Sequence, residues 1–98
     1  ASYAGNAVVV ISSFFTKTIP VKKLTHLRSI MATPQNTFLV TATLNKKGVI
    51  AEVKEDGTYV LRARTNLPDP LIGAFAQSGV VYVTSPNDPK GRVLKIQL

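Results

Sequence analysis

One histidine, five carboxylates and no cysteine bound the chemistry open to this 98-residue chain. With a single imidazole and no thiolate, only carboxylates could serve as co-ligands for a transition metal, which leaves a zinc site or a catalytic triad poorly supported. His26 sits between Thr25 and Leu27 on a half-buried segment and reads as a structural or surface histidine. The acids are Glu52, Glu55, Asp56, Asp69 and Asp88. Glu55 and Asp56 flank a hairpin turn and Asp69 lies between two prolines, where turn chemistry accounts for them. Asp88 beside Asn87 offers a cation two oxygens, too few for calcium. Ser12, Ser13 and Ser85 lack the glycine-flanked setting of a nucleophilic serine, and no glycine-rich phosphate cradle is present. These residues imply no catalytic centre, no metal and no cofactor.

Positive charge is the stronger signal. Twelve Lys and Arg against five Asp and Glu give a net charge of +7, with an isoelectric point near 10.1. Such a surface favours acidic partners: nucleic acid, anionic lipid, a polyanionic glycan or an acidic protein. The basic residues group as Lys17, Lys22, Lys23 and Arg28, then Lys46 and Lys47, with Arg62 and Arg64 further on. The first six form the candidate polyanion-binding set. Base recognition on a sheet also needs exposed aromatics. Tyr3 and Tyr59 are the candidates; Phe14, Phe15, Phe38, Phe75 and Tyr82 lie in apolar runs and read as core.

The elements that must carry these groups are strands. Ala7–Ile11 is a five-residue apolar run, and Phe14–Leu24 is rich in β-branched residues with Pro20 opposing a helix. Leu24, Leu27, Ile30 and Met31 fall at helical spacing, so Leu24–Met31 is open to either a short helix or a strand. Strands follow at Phe38–Thr43, Val49–Val53, Thr58–Arg64, Leu71–Ala76, Val80–Thr84 and Arg92–Leu98. Turn chemistry separates them at Thr33–Asn36, Asn45–Gly48, Lys54–Gly57 and Gln77–Gly79, with longer loops at Asn66–Pro70 and Ser85–Gly91. No apolar run approaches the ~18–20 residues that span a bilayer.

Shifting the chain by 43 positions lays Phe38–Thr41 on Val81–Thr84, Lys47–Gly48 on Lys90–Gly91 and Val53 on Ile96. With one gap, Leu27–Ala32 matches Leu71–Ala76, and a fainter third copy begins at Ala7. Strand–turn–strand content recurring at about forty residues is the signature of a propeller blade. Gly79-Val-Val-Tyr-Val-Thr-Ser85, followed by Gly91-Arg-Val-Leu-Lys-Ile96, resembles blades of six-bladed propellers of the NHL and gluconolactonase-like kind, as does Asn36–Val53. No positions match the divalent-metal ligands of the gluconolactonase group, so the resemblance carries over a fold and no activity.

The expectation is one all-β domain over 1–98, built of about two to two-and-a-half antiparallel blade-like units at 1–24 (partial), 25–65 and 66–98. A small β-sandwich or barrel is the alternative. Blades hide both faces, so this many cannot close a ring. The chain is then a non-catalytic binding or assembly module, completed by copies of itself or by other chains of a divided propeller. Two other readings stand beside it: a small basic domain gripping nucleic acid or another polyanion, and a fragment of a propeller hydrolase with its catalytic residues elsewhere. The Ala1-Ser2 start, with no signal-like segment, points to removal of an initiator Met or trimming of a precursor; no compartment is indicated. The polyanion reading predicts that log K for an oligonucleotide falls linearly with log salt, with a slope of several units. A flat salt dependence excludes it.

Overall fold

Phe38–Ala42 and Val49–Val53 are apolar at successive positions, so in a strand they present hydrophobic side chains to both sides of the sheet. The computed structural model describes residues 2–3, 7–11, 16–21, 24–76 and 78–98, with side chains at 19, 21, 24–76 and 78–98. It places those two runs at the centre of a layered all-β molecule. Among the described residues ten strands form three antiparallel sheets, each a meander. The first sheet contains β1 (Ser2–Tyr3), β2 (Ala7–Ile11) and β3 (Thr16–Pro20). The central sheet runs in order β4 (Thr25–Ala32), β5 (Phe38–Leu44), β6 (Lys47–Val53) and β7 (Tyr59–Pro68). The last comprises β8 (Ile72–Phe75), β9 (Val80–Thr84) and β10 (Val93–Gln97), with β9 in the middle.

Both faces of the central sheet are covered. On one, Phe38, Val40, Ala42, Val49, Ala51 and Val53 pack with Ile19, Val21, Leu24 and Leu27. On the other, Ile50 packs with Leu67, Leu71, Val81 and Val83. Burial on this scale is the dominant stabilising term for so small a domain.

The ambiguous Leu24–Met31 segment is strand. Between Thr25 and Ser29 the register slips: four positions along β4 span two along β5, Thr25 facing Thr43 and Ser29 facing Thr41. His26, at φ 52°, lies in this irregularity. β7 also departs from expectation, running on through Asn66 and Leu67 to Pro68, which faces Lys47. A proline is tolerated there because β7 borders the sheet. The β5–β6 hairpin turns on two residues, Asn45 and Lys46, both at positive φ (52° and 68°), as a type I′ turn requires.

Gly48, expected to serve that turn, lies within β6, where space rather than φ dictates glycine. A Cβ there would come 2.8 Å from the Leu71 Cβ, against the base of a fully buried side chain. We therefore expect Gly48→Ala to cost about 1–3 kcal/mol through overpacking. Ile50→Ala should cost about 2–5 kcal/mol by opening a cavity between the central and last sheets. Urea denaturation of both variants measures these losses.

Candidate functional site

Loops from two sheets meet at one end of the molecule, and a single carboxylate ties them together. Thr43, at the end of β5, donates its hydroxyl to Asp69 Oδ1 at 2.7 Å. His26 Nδ1 approaches the same oxygen at 3.1 Å. Asn87, from the β9–β10 loop, donates Nδ2–H to the Asp69 backbone carbonyl at 2.7 Å. Asp69 thus has a wider role than its place between Pro68 and Pro70 suggested. Local turn chemistry does not explain it; its partners come from strands far away in sequence.

With Nδ1 donating to Asp69, a neutral His26 keeps its lone pair on Nε2. A histidine–carboxylate pair is half of a nucleophile-activating relay, which also needs a nucleophile within reach of the outer nitrogen. The nearby Thr43 hydroxyl is committed to Asp69 instead. Among the described residues no three His, Cys, Asp or Glu side chains gather as a metal site would need. The cluster's chemistry is that of a polar latch between the central sheet and the loops leading into the last one.

Asp88 is a second departure. Rather than offering its oxygens to a cation beside Asn87, its buried carboxylate is consumed within its own loop. It accepts from the Arg92 backbone N–H at 2.9 Å, from Arg92 Nε at 3.1 Å and from the Lys90 N–H at 3.3 Å. The hydrogen bond from the Arg92 side chain, above all, holds the Asp88 pKa down at about 2 and raises that of Arg92. At the opposite end of the sheets, Asp56 is likewise held below the ordinary carboxylate range, chiefly by the Thr58 hydroxyl. Glu52 accepts from Arg62 at 3.1 Å and from the Thr37 hydroxyl at 2.7 Å.

The candidate polyanion set is only partly placed. Lys46 and Lys47 are exposed at the β5–β6 hairpin and Arg28 is exposed on β4, while the side chains of Lys17, Lys22 and Lys23 lie outside the described residues. The aromatic assignments change. Tyr59 is half-buried against the core, and Tyr82 is 45% exposed; Tyr3, Phe14 and Phe15 have side chains outside the described residues.

Tyr82 belongs to the most distinctive surface of the molecule. Strand pairing sets Ile72, Thr84 and Val93 in one row across the last sheet, and Ala74, Tyr82 and Lys95 in another. Val81 and Val83 point the opposite way, into the core. The outward face is therefore apolar yet bare, with Ile72 44% and Val93 67% exposed. Val80–Val83 is apolar at successive positions, yet among the described residues only the side carrying Val81 and Val83 is covered. This grouping of large apolar side chains on one open face makes it the candidate for an interaction surface.

In comparison with known proteins, no family model, no curated protein and no solved structure matches the chain. No helix of the described residues is long and apolar enough to cross a membrane.

Asp88 generates a pH prediction. Its folded-state pKa lies below the unfolded value of 3.8, so protonation favours the unfolded chain. Its contribution is full above about pH 4 and is lost as the pH falls toward about 2. Asp88→Asn should lower the urea midpoint at pH 6, and its deficit relative to the native chain should shrink as the pH drops to 2.5. A deficit constant across that range contradicts the assignment.

Proposed function

We propose that this chain is a non-catalytic assembly module, a propeller-like stack of sheets completed by further copies of itself or by other chains. One comparison between repeats carries the reading. Ile50 in the central sheet is fully buried beneath the last sheet, whereas Val93, its counterpart at the 43-residue shift, is 67% exposed. Leu39 and Tyr82 are related in the same way, 8% against 45% exposed. Side chains that in one repeat are covered by the next sheet are, in the next repeat, waiting for a sheet of their own.

The four-stranded meander of the central sheet, covered on both faces, supports the blade reading. So does the parity of the following repeat, whose Val81 and Val83 face the preceding sheet as their counterparts Phe38 and Val40 do. Burying an apolar face of this kind is the ordinary driving force for association. Alternating strands of another sheet fit it, because sheets pack about 10 Å apart with interdigitating side chains.

Native mass spectrometry of the full chain at micromolar concentration tests this. The expected species is an oligomer or a complex with other chains. Ile72→Glu combined with Val93→Glu should convert it to monomer without lowering the thermal midpoint of the monomer, since both side chains are exposed in the lone chain. A native chain that is monodisperse and monomeric overturns the proposal.

A further inference from the structure

We propose that the free edge of β10 receives an additional antiparallel strand from a different chain, and that this strand is acidic where β7 is basic. The inference rests on the assembly reading and concerns the edge of the last sheet rather than its face. In the central sheet β6 is paired on both sides, by β5 and β7; β10, its counterpart at the 43-residue shift, is paired only with β9 among the described residues. Its outer N–H and C=O groups form a template for strand addition.

The neighbouring side chains record the same vacancy. Ala51 and Val53 are fully buried, flanked across the ladder by Leu61 and Tyr59 of β7. Their counterparts Leu94 and Ile96 are only half-buried, in the same core as Val81 and Val83. An apolar residue beside each would complete that burial.

Edge chemistry separates β10 from β7. The outer edge of β7 is defended by Pro68, by Arg62 and Arg64, and by irregular pairing with β6. These are the devices that discourage edge-to-edge association. β10 has no proline and pairs in unbroken register with β9 from Val93 to Gln97.

Charge then selects the occupant. In the central sheet Glu52 on β6 holds Arg62 on β7 at 3.1 Å. The residue equivalent to Glu52 on β10 is Lys95, which is exposed. Across the ladder Glu52 faces Val60, and Arg62 reaches it diagonally from the register shift; at that diagonal position an acidic residue of the incoming strand would pair with Lys95, whereas an arginine would repel it. A second copy of β7 is disfavoured by its own arginines. The net charge of +7 draws an acidic chain in the same direction.

Two labelled eight-residue peptides test this by fluorescence anisotropy against the full chain. One carries the sequence of residues 58–65; the other is the same segment with Arg62→Glu and Arg64→Glu. The acidic peptide should bind roughly fivefold or more tightly, a cross-strand charge pair being gained and a repulsion removed. Lys95→Glu in the protein should reverse the preference, whereas Lys46→Glu, an equal change of net charge on the remote β5–β6 hairpin, should leave it in place. Methylating alternate backbone nitrogens of the acidic peptide should abolish binding. Equal affinity for both peptides, no binding by either, a preference indifferent to Lys95→Glu, or one lost equally with Lys46→Glu each overturns the proposal. A monomeric native chain that still prefers the acidic peptide would remove the face-packing reading and leave the edge assignment standing; assembly without peptide preference would do the reverse.

Discussion

Two-sided burial of the β5–β6 pair is the constraint on which the rest depends. A strand pair with apolar groups on both surfaces is unstable in water unless something lies over each of them. Here Ile19 of the first sheet, with Val21 and Leu24 beyond it, covers one side and the last sheet covers the other. The polar atoms carried into this layer must be satisfied, and they are. Thr41 Oγ1 accepts from the Ser29 N–H where β4 slips register, and Thr43 donates to Asp69. Among the described residues no buried side-chain nitrogen or oxygen lacks a partner.

Strands and turns were largely legible in the sequence because alternation and turn residues are local signals. Leu24–Met31 was ambiguous for a physical reason: the register slip between Thr25 and Ser29 breaks the two-residue period. It lets Leu27 and Ile30, three apart, pack into the same core, which imitates a helix. The extension of β7 to Pro68 was hidden because a proline excludes only central strands, and border position is a property of the assembled sheet. Asp69 could not be recognised as a hub, since His26 and Thr43 are brought to it by folding.

Tyr82 is the most instructive case. An apolar run such as Val80–Val83 announces that both sides want cover, and it cannot say which side this chain covers itself. The repeat contained the missing comparison: Leu39 and Tyr82 share a position, as do Ile50 and Val93, and among the described residues only the first of each pair is covered. The candidate surface was thus written in the sequence as a correspondence between copies rather than as a motif.

The three sheets approach one another most closely along a single line of strands, β1 beside β4 and β4 beside β8. At β8 the approach is tight. A Cβ on Gly73 would come 2.9 Å from the Thr41 methyl, and the Gly73 N–H donates to Ser29 Oγ at 2.8 Å. Toward β6 and β10 the gap is filled instead by Ile50, Leu71 and Val81. Small side chains at Ser29 and Gly73 are therefore what lets β4 and β8 lie this close, and a larger residue at either place would force the two layers apart along that line.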